Sequence, residues 1–262
     1  MLVQSGVEVA DRTYLFSDGH VNWCVLEDGG RLTVVDGGMP NHLPDFLRWL
    51  SSRGQTLQAV EAVVLTHGHA DHMGIVRETS DRAGAPVHVH GADEALAKGK
   101  GLHKPPRRIR RNLWRPRVAA LVAGWARAGV LRVRPLLHAS LFQDGDVLDV
   151  PGSPAVLHIP GHSPGSSCLH LPARDLLLSG DALVTLDVVT GRRGIGIMPG
   201  TLNDDPRQAL RSLEVLRGVR AGLLLPGHGQ PYSAPLADAL GAARRAGIDW
   251  RAVDPRAHQH PL

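Results

Sequence analysis

Apolar and polar positions alternate along the first hundred residues with two different periods, and each period predicts one type of element. A period of two, with β-branched residues, predicts strands, whereas apolar residues three and four apart predict helices. The strand pattern holds at residues 20–27, 32–35, 59–65 and 86–90, and the helical pattern at residues 44–50 and 71–83. This half of the chain therefore alternates between strands and helices.

The second half of the chain is richer in short apolar runs. They predict strands at residues 147–150, 155–159, 167–171, 176–178 and 223–225. Two helices are predicted near the end. One spans 205–217 with Asn203 or Asp204 as its cap, and the other spans 234–246 with Ser233 as its cap. Strands in two runs, with helices between them and after each run, predict an α/β protein with two sheets and helices outside both.

A basic segment interrupts this pattern between residues 98 and 134. It contains twelve Lys and Arg and no Asp or Glu, which leaves 17 basic and 25 acidic residues in the rest of the chain. A helix is predicted at residues 115–128, because its apolar side chains are spaced along one face: Val118, Leu121, Val122 and Trp125. We interpret the chain as one domain, residues 1–262, with a basic helical insertion at about 98–135.

Composition excludes several classes of protein. With 43% hydrophobic and 21% charged residues, the chain has the usage of a folded globular protein and not of a disordered or fibrous one. No apolar stretch reaches the roughly 18 residues of a membrane span, and the first residues show no secretory signal. Because Cys24 and Cys168 cannot make a disulfide framework, we expect a cytoplasmic protein with two buried, structural thiols.

A histidine-rich loop follows the buried strand predicted at 59–65. It reads Thr66-His67-Gly68-His69-Ala70-Asp71-His72. Alternate residues of an extended loop point the same way, so His67 and His69 can converge on one ion, while Asp71 and His72 can address a second ion nearby. Imidazoles and carboxylates are ligands of Zn²⁺ and similar metals. A chance pair is plausible among fifteen histidines, but this longer motif directly after a buried strand indicates a metal site.

Three later strands are predicted to end in the same way. Each is followed by a potential ligand beside a glycine, which lets the backbone approach closely. The ligands are His162, Asp181 and His228. Loops at strand ends are where a rigid sheet presents functional groups, and four such loops together point to one shared site.

The motifs HGHADH, GHSPG, GD and GH, in this order, resemble those of the metallo-β-lactamase-fold metallohydrolases, over nearly the whole chain from residue 20 to residue 228. The resemblance implies a four-layer αββα sandwich with the metal site at one edge between the two sheets. It also implies two metal ions, a first held by His67, His69 and His162 and a second held by Asp71, His72 and His228, with Asp181 bridging both.

All seven positions are filled, which is similar to the binuclear branch that includes glyoxalase II, lactonases and phosphodiesterases. Two zinc ions would then share a water and lower its pKa, so that a bridging hydroxide forms at neutral pH. Asp71 and Asp181 would be the catalytic carboxylates. We expect a zinc-dependent hydrolase that cleaves a small ester, lactone or thioester, with iron or manganese as alternative metals.

Departures from relatives of this fold narrow the substrate. True β-lactamases usually lack the bridging aspartate, whereas this chain has Asp181, which argues against that activity. Diiron members usually carry Glu where Gly68 stands, which favours zinc as the metal. Glyoxalase II has a C-terminal helical domain, whereas only 34 residues follow His228 here. Dedicated nucleases add a second domain or further motifs that this chain lacks, so we expect no nucleic acid as partner.

Three alternatives stay open at this stage. One is a phosphodiesterase, and another is an oxidoreductase similar to persulfide dioxygenases, which use a single iron at the first site. The third is a binding protein with structural metals. This alternative is disfavoured because structural zinc sites are closed by four ligands, whereas seven candidate ligands are present here. The partner in the favoured interpretation is a small molecule, with no membrane span. The insertion either caps the site or exposes its charges, and five of its cations could attract an anionic substrate: Lys104, Arg107, Arg108, Arg110 and Arg111.

Overall fold

The computed structural model describes residues 4–101 and 107–250. Its strands are β1 (Gln4–Ala10), β2 (Thr13–Ser17), β3 (Asn22–Asp28), β4 (Arg31–Val35), β5 (Val60–Val64), β6 (Val87–His90), β7 (Ser140–Phe142), β8 (Ala155–His158), β9 (Ser167–Leu171), β10 (Leu176–Gly180), β11 (Val184–Leu186), β12 (Arg193–Gly196) and β13 (Leu223–Pro226). Its helices are α1 (Leu43–Ser52), α2 (Val76–Ala83), α3 (Glu94–Ala97), α4 (Arg107–Arg111), α5 (Pro116–Ala128), α6 (Pro206–Ser212) and α7 (Leu236–Ala246).

The strands form two main sheets and a separate hairpin. The first sheet has the order β1-β2-β3-β4-β5-β6-β7, antiparallel from β1 to β4 and parallel from β4 to β7. The second sheet has the order β13-β10-β9-β8, with β10 and β13 parallel, and β11 pairs with β12 as a hairpin. Parallel pairing sends β5 and β6 in the same direction, so the loops that follow them leave the sheet at the same edge.

The sheets stack face to face with helices outside both, which makes four layers. In β3, side chains alternate: Trp23 and Val25 pack towards α1, whereas Cys24 and Leu26 pack between the sheets. On the far side, α6 and α7 cover the second sheet, and Leu177 of β10 lies in that core. The αββα sandwich implied by the sequence resemblance is therefore the observed architecture.

The inserted helix α5 begins at Pro116 and ends at Gly129, which adopts a left-handed conformation (φ 95°). Its Val118 is fully buried, together with Ile109 of α4, in a cluster beside the β11–β12 hairpin. The other apolar side chains of the predicted helix face pack against the same cluster: Leu121, Val122 and Trp125. The apolar face of the insertion thus packs inwards, while Lys104 lies outside the described residues.

Some predicted elements differ from those observed. Residues 147–150 form no strand, because the turns around Gly145 and Gly152 leave only Val147 bridged to Ala155. The helix predicted from residue 71 begins at Val76, since Gly74 first hydrogen-bonds to Gly38. The helix predicted at 205–217 ends at Ser212 and continues as a 3₁₀ turn. Five strands were not predicted: β1, β2, β7, β11 and β12.

No helix within the described ranges is both long and apolar enough to cross a membrane.

Candidate metal centre

Loops from both sheets bring together all seven side chains that the motifs predicted. The loop after β5 carries His67, His69, Asp71 and His72, and the last two lie in a 3₁₀ turn (Ala70–His72) rather than in a helix. The loops after β8, β10 and β13 carry the other three: His162, Asp181 and His228. The cluster therefore lies where strand ends of both sheets meet.

Three imidazoles form one half of the cluster. His69 Nδ1 lies 2.8 Å from His162 Nε2, which in turn lies 3.2 Å from His67 Nε2. These three nitrogen atoms all lie within 4.8 Å of one another, the spacing of ligands around one ion. Because His67 and His162 are buried and His69 is only partly covered, this half opens to one side.

Asp71, His72 and His228 form the other half, and Asp181 lies between the halves. One carboxylate oxygen of Asp181 lies 3.3 Å from His162 Nε2 and 3.2 Å from His228 Nε2. The other oxygen lies 3.5 Å from His72 Nε2. A single carboxylate thus faces ligand atoms of both groups, which is the position expected for a bridge.

Hydrogen bonds to the Nδ1 atoms hold several of these imidazoles in place. His72 Nδ1 lies 3.0 Å from Asp36 Oδ2, and His162 Nδ1 lies 3.3 Å from Asn203 Oδ1. His228 Nδ1 lies 2.5 Å from the carbonyl oxygen of His20. A proton on Nδ1 that is donated to oxygen leaves the lone pair of Nε2 directed into the cluster.

Two further carboxylates anchor the loops that carry the candidate ligands. Asp36 accepts hydrogen bonds from the backbone N–H and the hydroxyl of Thr66, each at 2.8 Å. Asp93, which is fully buried, accepts from Gly68 N at 2.9 Å, from Ser163 Oγ at 2.6 Å and from Gly165 N at 2.6 Å. Asp93 therefore ties the loop of His67 and His69 to the loop of His162.

The motifs did not reveal these supporting residues. The position of Asp36 could have been recognised from the sequence, because it follows β4 and precedes Gly37-Gly38, as the candidate ligands at other strand ends lie beside glycine. The sequence pattern favours Asn203 or Asp204 as the cap of this helix, but Asp205 caps α6 by accepting a hydrogen bond from Gln208 N at 2.9 Å. Asp93 follows β6 in a 3₁₀ turn and carries no recognisable motif.

Two glycines, Gly68 and Gly227, leave room for neighbouring elements to pack closely against the loops that carry the clustered side chains. A side chain at Gly227 would collide with Asp181 and with the ring of His72. A side chain at Gly68 would collide with Leu96 of α3. A larger residue at position 68, such as Glu, would therefore require α3 to shift.

Burial and neighbouring charges shift the pKa values of the clustered imidazoles in opposite directions. Burial lowers the pKa of His67, as do the neighbouring imidazoles, and burial lowers the pKa of His162 to about 3 against the opposing charge of Asp181. Burial also acts to lower the pKa of His72, but the carboxylates of Asp181 and Asp36 outweigh it and raise that pKa to about 10. The lowered pKa values keep His67 and His162 neutral and able to bind a cation directly, whereas a cation bound by His72 must displace a proton.

The donor set fits divalent cations. Three buried atoms of the cluster have no hydrogen-bond partner: His72 Nε2, Asp181 Oδ1 and His228 Nε2. Buried polar atoms without partners are rare in folded proteins, and here all three face the centre of the cluster. Nitrogen and carboxylate ligands suit zinc and similar metals, and a cation would satisfy each of these atoms.

A cavity of about 350 Å³ opens directly beside the cluster, and His69, Asp71, His162 and Asp181 line one end of it. Its other walls are mostly apolar and include Val122 and Trp125 of the inserted helix α5. This volume lies within the range of about 300–1,000 Å³ that is usual for small-molecule sites. A substrate in the cavity would reach the candidate metal centre.

Comparison with known proteins places this geometry in a family. The sequence profile described as "Metallo-beta-lactamase superfamily" matches residues 17–228, which include all seven clustered residues. The chain is 27% identical to the probable metallo-hydrolase YflN of Bacillus subtilis (strain 168), over 76% of each chain.

A second relative and a solved structure agree with this match. The chain is 32% identical to the human acyl-coenzyme A thioesterase MBLAC2, over 83% of this chain and 76% of the relative. It also shares its fold with a metallo-β-lactamase family protein of Thermus thermophilus, with a TM-score of 0.60 at 23% identity, over 96% of this chain and 80% of that one.

Proposed function

Since the chain belongs to the metallo-β-lactamase superfamily and is a hydrolase of that superfamily, we propose that it uses two metal ions to cleave a small ester, lactone or thioester. The observation that carries this proposal is the position of Asp181. One of its oxygens lies near His162 of the first group and His228 of the second, and its other oxygen lies near His72 of the second group, so one carboxylate can reach two cations.

In this proposal His67, His69 and His162 hold the first cation, and Asp71, His72 and His228 hold the second. We propose zinc, because the ligands are imidazoles and carboxylates and because Gly68 stands where diiron relatives carry Glu, with iron or manganese as alternatives. When bound, two such cations would lower the pKa of a water towards about 7, so that hydroxide is available at neutral pH, and would polarise the carbonyl oxygen of the substrate.

The chain's own residues position the reacting groups. Asp36, Asn203 and the His20 carbonyl hold protons on the Nδ1 atoms of three imidazoles and thereby fix their orientation. Hydrolysis forms a bond from the water oxygen to the carbonyl carbon and breaks the bond to the leaving group, and the proton that the water loses passes to the leaving group. Asp71 lines the cavity and remains partly exposed, so its carboxylate can carry that proton.

The comparisons support a thioester within this substrate class. The human relative is named an acyl-coenzyme A thioesterase, and the similarity covers most of both chains. Neither cysteine competes as a nucleophile, since Cys24 and Cys168 are buried in the cores and burial raises the pKa of both thiols.

A hydrolysis panel on metal-loaded protein tests the proposal. Protein stripped of metal and reloaded with zinc, iron or manganese is assayed on thioesters, lactones, simple esters and phosphodiesters, with oxygen uptake recorded in parallel. We expect the zinc form to hydrolyse at least one carbonyl substrate. Turnover of phosphodiesters alone would favour the phosphodiesterase alternative. One iron per chain, with oxygen uptake on a persulfide and no hydrolysis, would replace the proposal with the dioxygenase alternative.

A further inference from the structure

The cavity beside the metal centre continues as an apolar chamber. One end is formed by the candidate ligands, and most of the remaining wall is formed by apolar side chains: Leu96, Val122, Trp125, Val130, Met198 and Leu202. The charged residues on its wall beyond the ligand end are Lys100 and Asp204, both exposed. Because most of this wall is apolar, it suits an apolar group of a ligand better than a polar one.

The inserted helix α5 contributes a fixed wall to this chamber. Val118 of α5 and Ile109 of α4 are fully buried in the cluster that also contains Met198 and Leu202. Val122 and Trp125, one and two turns further along the same face, are only partly covered by the protein and line the chamber. An apolar group that enters would cover the exposed parts of these side chains, and burying apolar surface is favourable.

We propose that this chamber takes the apolar acyl chain of the substrate, and that the insertion thereby gives the enzyme a preference for longer chains. The inference rests on the proposed hydrolysis, which places the carbonyl carbon beside Asp181 and His162. The group attached to that carbon then extends along the apolar wall. The leaving group is the more polar half of a thioester and is released to water, so it lies towards the exposed margin at Lys100.

The proposal predicts how activity depends on chain length. Each methylene that becomes buried contributes a favourable transfer free energy, which corresponds to a rise in kcat/KM of about two- to fourfold per added carbon. We therefore expect kcat/KM to rise from acetyl through butanoyl and hexanoyl to octanoyl thioesters of one constant thiol, until the chamber is full. A matched series with a constant acetyl group and lengthening thiols should show no comparable rise.

Two alanines of α5 provide a matched pair of variants. Ala126 lines the chamber, whereas Ala120 is exposed on the same helix and does not line it. Ala126→Trp should fill part of the chamber and lower the ratio of octanoyl to acetyl kcat/KM at least tenfold. Ala120→Trp adds the same side chain to the same helix and should leave the ratio as in the wild type.

A binding measurement separates this inference from the proposed function. Calorimetric titration of metal-depleted protein with octanoate should show binding that is weakened at least tenfold in Ala126→Trp but not in Ala120→Trp. Hydrolysis with no dependence on acyl length, or a rise confined to the thiol series, would overturn the chamber assignment and leave the hydrolase proposal standing. Octanoate binding with the expected variant pattern, but without hydrolysis of any carbonyl substrate, would refute the hydrolase proposal and retain the chamber.

Discussion

The buried Asp93 carboxylate accepts a hydrogen bond from Ser163 Oγ at 2.6 Å, across 70 residues of sequence. The same carboxylate also accepts from the backbone N–H groups of Gly68 and Gly165. Because Gly68 lies between His67 and His69 and Ser163 follows His162, Asp93 sets the distance between the loops of the proposed first metal site. Hydrogen bonds to a charged acceptor are worth about 1.5–3 kcal/mol each, and more is lost when a buried partner is left unpaired.

Asp93→Asn tests this connection. An amide has only one acceptor oxygen, so at least one of the three donors loses its partner. We expect the free energy of unfolding to fall by about 2 kcal/mol in a denaturant titration and zinc affinity at the first site to fall as well. Asp238→Asn, at an exposed position in the first turn of α7, is the control and should change neither quantity. If Asp93→Asn matches the wild type in both, the loops are held together by other contacts.

The second prediction concerns the number of metal ions. We expect two zinc ions per chain by elemental analysis after loading, because two ligand groups share Asp181. Asp36→Asn should weaken the second ion about 10- to 100-fold and affect the first less, since Asp36 orients His72. A single tightly held ion under saturating zinc would refute the binuclear assignment.

The third prediction concerns Asp181 itself. Asp181→Ala removes the carboxylate shared by both groups, so we expect hydrolysis to fall by at least about a thousandfold, or about 4 kcal/mol of transition-state stabilisation. The circular dichroism spectrum should remain that of the folded protein, because the side chain lies in the cluster and not in an apolar core. Activity retained on the true substrate would contradict the mechanism proposed here.

The sequence was sufficient to locate the candidate site because its ligands follow apolar strands within short motifs. His67, His162 and His228 each come directly after such a run, and strand ends of stacked sheets meet at one edge. Asp93 could not be located in this way, since it acts on Gly68 and Ser163 through the fold and not through its neighbours in sequence. Its partners are known only once the sheets are packed.

The errors in the predicted elements have physical causes. The hairpin of β1 and β2 was not predicted because β1 has mostly polar or exposed residues and two irregularities in its register. Its partner strand β2 (Thr13–Ser17) is nevertheless fully buried. The start of α2 was placed too early because Asp71 and His72 occupy a 3₁₀ turn, whose spacing resembles the first turn of a helix. Local pattern does not distinguish the two.

The fourth prediction concerns the two cysteines. Cys24 packs between the sheets and Cys168 packs under α6 and α7, and burial raises the pKa of both thiols. Since the thiolate is the reactive form, we expect no reaction with a soluble disulfide reagent in the native protein and reaction of two thiols per chain after unfolding. Rapid labelling of the folded protein would show that one of these cores opens.

The last prediction concerns the charges of the insertion. Arg110 and Arg111 are exposed on α4, in a segment that contains no acidic residue, and α5 of the same insertion lines the chamber. If these cations attract an anionic substrate, their effect must weaken with salt, because the screening length is about 8 Å at physiological ionic strength. The test uses a thioester with a phosphorylated leaving group. In dilute buffer, the double substitution Arg110→Glu with Arg111→Glu should lower kcat/KM about tenfold. In about 0.5 M salt it should lower kcat/KM less than twofold, because the salt reduces the wild-type value towards that of the variant.

The control is Arg31→Glu with Arg82→Glu, because both arginines are exposed and Arg31 begins β4 at the end opposite Asp36. A neutral thioester should show no salt dependence with any of these proteins, and an equal loss for neutral and anionic substrates would assign Arg110 and Arg111 a structural role.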